Sequence, residues 1–259
     1  MDAESLLLHL LRRNKAWLIA HGNKEVSTAI VEKYAKFVER RRKGEPVQYI
    51  LREVEFFGIT LAVIPRVLIP RPETEHLVEK VIELSRLFAR PRILDVGTGS
   101  GAIAIAVAHD TSSRAAITAI DFSKAALRIA RFNAVRTGFA HRIRFLHGDL
   151  LAPLAGEQFD IVVSNPPYVP NSDHASMAVE VREFEPALAL FAGDDGLDIY
   201  RRLIPAAHAA LVPGGFIALE IGYGQARAVE GLLAAAGFSQ IEFIPDLQDI
   251  PRVACAQRA

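Results

Sequence analysis

The sequence predicts an α/β protein in which helices cover both faces of a mostly parallel β-sheet, preceded by a small helical domain. From residue 92 onward, strand and helix patterns alternate, which is typical of a parallel sheet. Before residue 45 the hydrophobic residues follow a helical period only. The chain has 259 residues, of which 51% are hydrophobic, so it can bury a substantial core.

The first region, residues 2–43, is predicted to be helical. Its leucines at positions 6, 7, 10 and 11 have the spacing of one helix face, and residues 30–38 repeat that pattern. The region ends in four cations, residues 40–43, followed by Gly44, as expected where a helix ends. The cations are either a solvated helix end or a patch that meets an acidic or RNA-bound partner.

A linking segment follows at residues 46–75. Residues 54–63 predict a short β-hairpin with Gly58 near its turn. Pro70 and Pro72 keep the next piece extended and end it at a helix that we predict over residues 74–88. Arg71 and the residues after it form either a rigid linker or part of the site. We therefore expect three units: a helical docking domain at 1–45, the link at 46–75 and the main domain at 76–259.

The main domain is predicted to contain seven strands and four further helices. The strands lie at residues 92–96, 115–121, 142–147, 159–164, 216–221, 240–244 and 252–257, and the helices at 100–109, 124–137, 198–211 and 226–236. Only a loop separates the last two strands, whereas a parallel crossover needs about a dozen residues or more. These two strands are therefore predicted to pair antiparallel.

Composition argues against several classes of protein. The formal net charge is zero, whereas domains that grip a nucleic-acid backbone are usually basic. No apolar run reaches the ~18 residues of a transmembrane helix, and no basic segment precedes the first leucines, so we expect neither a membrane span nor a secretory signal. Cys255 is the only cysteine, which excludes an internal disulfide and fits a cytoplasmic protein. The histidines lack metal-ligand spacing, so no metal is expected.

A glycine-rich turn follows the first strand of the main domain, within residues 93–102. Glycines adopt positive φ angles and let a ligand approach the backbone, here over a helix N-terminus. Gly97, Gly99 and Ala102 also satisfy the dinucleotide fingerprint, so the turn by itself does not choose between NAD and another adenosyl cofactor.

Acidic residues follow the next two strands. Asp121 lies about 20 residues beyond the glycine turn, where an acid fits the hydroxyls of a ribose. Alternatively, Asp121 or Ser123 caps the following helix. Asp149 can accept the exocyclic amine of an adenine, with Leu150 covering the ring, or it is an ordinary turn aspartate.

The most informative motif is the Asn-Pro-Pro-Tyr sequence at residues 165–168, directly after a buried strand. Its prolines remove two N–H donors and leave carbonyl groups free to face a cleft. An Asn amide and a Tyr ring beside them suit a planar –NH2 group held in one orientation. The alternative is a strand-ending turn with an Asn cap.

Taken in order, these motifs resemble those of class I S-adenosylmethionine-dependent methyltransferases that act on planar nitrogen. Further segments make the chain similar to the PrmC/HemK family over about residues 6–253; they lie at 44–50, 68–75, 185–190, 193–197 and 219–222. Members of that family methylate the side-chain amide of the glutamine in the Gly-Gly-Gln motif of bacterial class I peptide chain release factors.

The resemblance implies a seven-stranded Rossmann-like methyltransferase sheet with an antiparallel last strand, S-adenosylmethionine as cofactor and a release factor as protein substrate. The cofactor-binding residues it implies are Gly97, Thr98, Gly99, Ser100, Gly101, Asp121, Asp149, Leu150 and Asn165. The catalytic residues it implies are Asn165, Pro166 and Tyr168, and the substrate-binding residues are Asn165, Pro166, Pro167 and Tyr168. In family members an aromatic residue often follows the aspartate at position 149, so Leu150 is expected to stack less on the adenine.

Three other functions account for only part of the sequence. A DNA or RNA amino-methyltransferase uses a similar Pro-Pro-aromatic motif, but it must flip a base and bind phosphates, usually with a basic recognition domain. An NAD-dependent oxidoreductase fits the glycine turn and leaves residues 165–168 unexplained. A catalytically silent binding module with this fold has little support, because all the motif positions are filled.

Overall fold

The computed structural model describes residues 2–111 and 113–259. The N-terminal domain consists of helices α1 (Asp2–Leu11), α2 (Lys15–Ala20), α3 (Thr28–Arg42) and α4 (Val47–Leu51). The predicted helical domain is thus confirmed, although α4 was not predicted as a separate helix. Asn14 starts α2, since its side chain accepts a hydrogen bond from the Trp17 N–H.

The predicted hairpin is confirmed as strands β1 (Glu53–Phe56) and β2 (Ile59–Ala62). Phe57 and Gly58 form its two-residue turn, and both have positive φ, which matches the twist of the flanking strands. The buried Asn133 side chain holds the hairpin in place. It accepts from Ala62 N–H at 2.7 Å and donates to the Ala62 carbonyl at 3.0 Å and to the Ser100 carbonyl at 2.9 Å. Asn133 thereby ties the hairpin to the glycine turn.

The main domain alternates helices and strands as predicted. Its helices are α5 (Thr74–Ser85), α6 (Ala102–Asp110), α7 (Lys124–Arg136), α8 (Val179–Phe184), α9 (Asp198–Ala210) and α10 (Ala226–Ala235). Its strands are β3 (Arg92–Val96), β4 (Ala116–Asp121), β5 (Ile143–His147), β6 (Phe159–Ser164), β7 (Leu211–Glu220), β8 (Phe238–Pro245) and β9 (Pro251–Arg258).

Most predicted boundaries differ from the observed ones by one or two residues, and three differences are larger. Helix α5 ends at Ser85 rather than at residue 88, and α8 was missed because six residues show no clear helical period. Strand β7 begins at Leu211, which the sequence had assigned to the preceding helix. Leu211 pairs with Phe159, and the register then shifts before Phe216 pairs with Ile161.

The seven-stranded sheet has the order β5-β4-β3-β6-β7-β9-β8. Strands β3 to β7 are parallel, and β9 runs antiparallel to both β7 and β8, so the predicted antiparallel pair is confirmed. The chain passes from β3 to β4 and β5 on one side and returns to β6 on the other. Ligands bind at such a switch point, beyond the carboxyl ends of the strands.

Hydrophobic cores lie on the two faces of the sheet. One contains the buried faces of α5 and α6 together with the hairpin, and the other contains those of α9 and α10. Residues 102–108 of α6 are all buried, which explains why this helix is apolar on every side. Among the described residues, no helix combines the length and apolar character needed to cross a membrane.

Candidate active site

A pocket of about 360 Å³ lies at the carboxyl ends of the parallel strands, within the size range of small-molecule sites. Gly97 follows β3 and Asn165 follows β6, and these strands pair so that Val96 lies beside Ser164. The sheet therefore brings the glycine turn and the Asn-Pro-Pro-Tyr motif to one edge. Of the predicted site residues, those that line the pocket are Gly97, Gly99, Asp121, Asp149, Leu150, Asn165, Pro166 and Pro167.

The glycine turn contains two kinds of glycine. Gly97 and Gly99 have φ of 75° and 56°, and a Cβ added at either would meet nothing closer than 3.9 Å. Gly101 has φ of 85°, and an added Cβ would lie 3.1 Å from both Ala130 Cβ and Ile105 Cδ1. The first two therefore leave open space for a ligand, whereas Gly101 permits close packing of α6 against α7.

Thr98 and Ser100 are buried, and in the described chain they lie behind the pocket lining. The Thr98 hydroxyl donates to Asp95 Oδ2 at 2.6 Å, and the Ser100 carbonyl accepts from Asn133. Burial raises the pKa of Asp95 to about 7, although the Thr98 hydrogen bond opposes this shift. The Thr98 side chain and the Ser100 backbone thus anchor the turn within the protein.

Asp121 lies at the end of β4, where its carboxylate accepts from Gly99 N–H at 2.8 Å and from Ser123 N–H at 2.7 Å. The sequence left open whether Asp121 or Ser123 caps the following helix. Ser123 is the cap of α7, since its Oγ accepts from Ala126 N–H at 3.2 Å. Burial raises the pKa of Asp121, and the two backbone hydrogen bonds oppose it. Asp121 thus holds the glycine turn and faces the pocket at the same time.

Asp149 and Leu150 lie on the pocket rim beyond β5. Asp149 Oδ2 forms an ion pair with Arg202 at 2.5 Å, and both side chains are half-exposed. Leu150 has φ of 48°, an uncommon value for a non-glycine residue. This pair of residues can place a carboxylate and an apolar side chain at one end of the pocket.

Asn165 and Pro166 present two hydrogen-bond acceptors. Asn165 Nδ2 donates to Thr74 Oγ1 at 3.1 Å. Within residues 2–111 and 113–259, no protein group donates to Asn165 Oδ1 or to the Pro166 carbonyl. These acceptors are therefore available to a group with two N–H bonds, such as a primary amide.

Tyr168 follows the pocket-lining Pro167 without itself lining the pocket in the described chain, and it is held at both ends. Its hydroxyl donates to Glu220 Oε1 at 3.3 Å, and its carbonyl accepts from Gln225 Nε2 at 2.9 Å. Gln225 Oε1 also accepts from Gly222 N–H at 2.9 Å. A Cβ at Gly196 would lie 2.2 Å from the Tyr168 carbonyl, so this close packing needs glycine. Burial raises the pKa of Tyr168, and Glu220 adds to that shift.

Glu220 and Thr74 are buried behind the motif, with exposures of 2% and 3%. Thr74 Oγ1 donates to Glu220 Oε2 at 2.5 Å. Burial raises the pKa of Glu220 to about 7, and the hydrogen bonds from Thr74 and Tyr168 oppose this. The Glu220 carboxylate thus accepts hydrogen bonds from two hydroxyl groups.

The remaining pocket wall is formed where the linking segment meets residues 185–190. Arg71 Nη2 contacts Glu185 Oε1 at 2.5 Å, and the Glu185 side chain is only 1% exposed. Burial raises the pKa of Glu185, and Arg71 opposes the shift. Pro186, Leu188 and Ala189 follow directly and line the pocket. Sequence reasoning missed this ion pair, as it missed Gln225, because its partners are far apart in the chain.

Family models match two parts of the sequence: the PrmC N-terminal domain over residues 1–51 and the methyltransferase small domain over residues 73–188. The release factor glutamine methyltransferase of Bradyrhizobium diazoefficiens is 43% identical over 100% of this chain and 88% of its own length. Those of Koribacter versatilis and Neisseria gonorrhoeae are 41% and 43% identical over 100% and 98% of this chain, and over 91% of their own lengths.

The chain belongs to the release factor glutamine methyltransferase family. It is therefore an S-adenosylmethionine-dependent methyltransferase, as the resemblance implied.

Solved structures support the same fold. The catalytic domain of hMettl16, in complex with a 3′UTR hairpin, has a TM-score of 0.62 at 16% identity, covering 90% of this chain and 84% of that one. A 16S rRNA methyltransferase of T. thermophilus, in complex with AdoMet and guanosine, has a TM-score of 0.58 at 21% identity, covering 80% of this chain and 50% of that one.

The pocket of this family member fits the cofactor. The open backbone at Gly97 and Gly99 permits close approach of a ligand, and Asp121 supplies a carboxylate beside it. Leu150 and Ile199 add apolar surface at the end of the pocket near Asp149. Among the described residues, no cluster of three or more His, Cys, Asp or Glu could hold a metal ion.

Proposed function

We propose that this protein transfers a methyl group from S-adenosylmethionine to the side-chain amide nitrogen, N5, of the glutamine in the Gly-Gly-Gln motif of class I peptide chain release factors. The main support is the pair of free acceptors, Asn165 Oδ1 and the Pro166 carbonyl, at a pocket that fits the cofactor. The names of the full-length relatives point to the same substrate. The reaction belongs to translation termination and hence to the cytoplasm.

The chemistry follows from what these acceptors do to an amide. An amide nitrogen is a poor nucleophile because its lone pair is delocalised. Asn165 Oδ1 and the Pro166 carbonyl accept its two N–H bonds, which draws electron density toward nitrogen and fixes the amide plane. When bound, S-adenosylmethionine supplies a methyl group activated by its sulfonium, whose sulfur keeps the electron pair of the broken bond. The methylated nitrogen releases one proton to solvent water.

Catalysis in this scheme comes from position and polarisation. Alignment of two reacting groups can contribute up to ~7–11 kcal/mol in favourable systems. A single well-placed hydrogen-bonding group contributes ~2.7–4 kcal/mol in other enzymes. Tyr168 is proposed to pack near the amide plane, while Pro167 restricts the backbone between the acceptors and Tyr168.

The cofactor-binding roles are also proposals. Gly97, Gly99 and the backbone of Thr98, Ser100 and Gly101 are proposed to surround the methionine part. Asp121 faces the ribose, with one oxygen already accepting from Gly99. Asp149 and Leu150 flank the adenine, and Arg202 holds the Asp149 carboxylate in place.

The N-terminal domain is proposed to dock the release factor. Residues 1–45 contain ten Lys and Arg and six Asp and Glu, a formal charge of +4. Several of these cations are neutralised locally, as in the ion pairs Arg40–Glu45 and Lys15–Glu4. A modest positive charge on a helical domain suits an acidic protein surface.

The sequence of the substrate loop suits entry into a pocket. Residues of the segment 186–189 and of the linking segment at 66–68 both line the pocket. Two glycines before the target glutamine allow an extended loop to enter without side-chain clashes.

The experiment is methyl transfer from labelled S-adenosylmethionine to a purified bacterial release factor. A factor with the loop glutamine replaced, bulk DNA and bulk RNA are run in parallel. We expect label on the intact factor alone, mapped by mass spectrometry to that glutamine. Label on nucleic acid but not on the factor would overturn the proposal and favour the base-methylating alternative.

A further inference from the structure

We propose that Thr74 and Glu220 are positioning residues that select the amide orientation of Asn165, so that its oxygen and not its nitrogen faces the substrate. The proposal rests on the proposed function, since it explains how the acceptor for the glutamine amide is held. It concerns a buried hydrogen-bond relay that reaches Asn165 from behind the pocket.

The relay joins three separate parts of the chain. Asn165 follows β6, Thr74 begins α5 and Glu220 ends β7. Asn165 Nδ2 donates to Thr74 Oγ1 at 3.1 Å, and Thr74 Oγ1 donates to Glu220 Oε2 at 2.5 Å. Strands β6 and β7 pair with Ser164 beside Leu219, which places the residues after each strand side by side.

The direction of the relay follows from the number of protons that each group has. An ionised carboxylate only accepts hydrogen bonds, and a threonine hydroxyl has a single proton to donate. Because the Thr74 hydroxyl donates its single hydrogen bond to Glu220, the Thr74 oxygen can only accept a hydrogen bond from Asn165. The NH2 end of the Asn165 amide must therefore face Thr74, which leaves Oδ1 for the pocket.

The surroundings keep this relay in one arrangement. Thr74 and Glu220 are almost fully buried, so water does not compete for their hydrogen bonds. Glu220 Oε1 is occupied by the Tyr168 hydroxyl at 3.3 Å, and Gln225 fixes the Tyr168 backbone. The same carboxylate thus connects both ends of the Asn-Pro-Pro-Tyr motif.

Protonation of Glu220 removes the directionality. A neutral carboxylic acid can donate to Thr74, which then has a proton free for Asn165 Oδ1, and the amide can rotate to present its NH2 group to the pocket. The groups that shift the pKa of the Glu220 carboxyl, besides its burial, are Thr74, Tyr168, Glu73 and Arg252. The Tyr200 hydroxyl donates a hydrogen bond to the backbone carbonyl of Glu220. Because burial raises the pKa of Glu220 to about 7, turnover is expected to rise as the pH increases through neutrality.

The first test compares Thr74→Val with Thr74→Ser in the full chain. Valine keeps the shape and removes the hydroxyl, whereas serine keeps the hydroxyl as a matched control. We expect kcat for the release factor to fall about 10- to 100-fold in T74V, the size typical of lost supporting hydrogen bonds. T74S should stay within about threefold of the wild type, and both should bind S-adenosylmethionine within about twofold of it by calorimetry. Equal kcat in the two variants would overturn the proposal.

The second test does not depend on activity. The side-chain NH2 signals of Asn165 in the ¹⁵N spectrum are identified by their loss in N165A. We expect them to shift with pH around neutrality in the wild type and to lose that titration in E220Q. Unchanged titration in E220Q would overturn the relay. Failure of the wild type to methylate any release factor would instead refute the proposed function, and these signals would still report on the relay.

Discussion

Asn165 and Pro166 are distinguished at the residue scale by acceptors that the described protein leaves without donors. An ordinary strand-ending turn satisfies its own polar groups or exposes them to bulk water. Here the nitrogen of the Asn165 amide donates to buried Thr74, its oxygen has no donor within the described residues, and the residue lines the pocket. A polar side chain that the protein fixes before the ligand binds, and whose remaining acceptor is unpaired, is the arrangement expected of a binding site.

Asn165→Ala tests that role directly. We expect kcat to fall about 10²- to 10³-fold, the range for one lost polar contact in an active site, with cofactor affinity changed by no more than about threefold. Steady-state kinetics with the release factor and calorimetry with S-adenosylmethionine measure the two quantities. Asn171→Ala is the control, because Asn171 is exposed and its side chain forms no hydrogen bond within the described residues. An equal loss of turnover and cofactor affinity in N165A would contradict the assignment.

The raised pKa of Glu220 predicts a pH-dependent difference in stability. The folded-state pKa of about 7 exceeds the ordinary value of 4.5, so the folded protein binds this proton more tightly than the unfolded chain. The resulting stabilisation is complete below about pH 4.5 and is lost as the pH rises through 7. The free energy of unfolding of Glu220→Gln should therefore rise relative to that of the wild type as the pH increases from 5 to 8.5. The expected change in this difference is up to ~3 kcal/mol. Asp95 titrates similarly in both proteins and cancels.

Urea unfolding of the cofactor-free protein at the two pH values measures this difference. A constant offset between E220Q and the wild type is the result that would rule it out. Such an offset would mean that Glu220 is ionised at the same pH in the folded and unfolded states.

At the scale of elements, the site depends on loops that are anchored from behind. The glycine turn is held by Asp121 from β4 and by Asn133 from α7. The Asn-Pro-Pro-Tyr segment is held by Gln225, just before α10, and by Glu220 of β7. These contacts explain why polar residues lie in otherwise apolar surroundings. Asp121, Asn133 and Gln225 satisfy backbone groups that the loops leave unpaired, whereas Glu220 accepts from the Tyr168 hydroxyl.

Gly97→Ala and Gly101→Ala should separate ligand binding from packing. Both positions have positive φ, so each alanine costs about 1–2 kcal/mol in backbone strain. At Gly101 the added Cβ also meets Ala130 and Ile105 at 3.1 Å, so this variant should lose about 1–3 kcal/mol more of the free energy of unfolding. At Gly97 the space is open, and the main loss should be in cofactor affinity.

Denaturant unfolding and calorimetry on the same two proteins make the comparison. Similar losses of stability in both variants, with unaltered cofactor affinity in G97A, would contradict the division of roles.

The Arg71–Glu185 pair predicts how the pocket wall is stabilised. Arg71→Gln removes the only ion-pair partner that the described structure gives to a carboxylate that is 1% exposed. Because Arg71 itself is about one-third exposed, we expect a loss of about 2–3 kcal/mol rather than the full 3–5 of a deeply buried pair. Adding Glu185→Gln to Arg71→Gln should restore part of the lost stability, because the unpaired buried charge is then removed. Urea unfolding measures the effect.

The control for this prediction is an exposed ion pair. Arg144 and Glu157 contact at 2.5 Å, but both are nearly half-exposed, so Arg144→Gln should change stability by less than about 1 kcal/mol. If R71Q and R144Q lose the same amount, the buried pair does not stabilise the pocket wall.

At the scale of the whole molecule, a slightly basic helical domain precedes an acidic catalytic domain. The charge of +4 on residues 1–45 is balanced by −4 on the rest, which gives the net charge of zero. The two parts meet where Arg41 of α3 contacts Glu180 of α8 at 2.8 Å, directly before the segment that forms the pocket wall. A substrate bound to the N-terminal domain would therefore lie next to the pocket.

Reversing two exposed charges tests the docking role. Lys33 and Lys36 lie on the exposed side of α3. The double variant Lys33→Glu/Lys36→Glu should raise KM for the intact release factor about tenfold at low salt, with kcat nearly unchanged, because rim charges mainly affect association. A short peptide with the Gly-Gly-Gln motif should be methylated equally by both enzymes. A parallel loss with the peptide would place the effect at the active site instead.

The sequence by itself determined the fold class, the order of elements and the local motifs. Hydrophobic periodicity and glycine or proline positions act over a few residues, so the strands before Gly97 and Asn165 and the hairpin around Gly58 could be predicted. The prediction failed for elements that lack such a local signal. Helix α8 is only six residues long, and the first part of β7 contains a proline and two glycines that do not resemble a strand.

Tertiary structure alone decided which side chains meet behind these motifs. Thr74 and Glu220 are 146 residues apart, and Arg71 and Glu185 are 114 apart, yet each pair is in contact. No local propensity reports such a contact, because it depends on the strand order that places β6 beside β7 and on the crossovers that bring α5 to the same edge. The proposed acceptors for the substrate amide lie in a short motif, whereas the residues proposed to orient them are brought together only by the folded sheet.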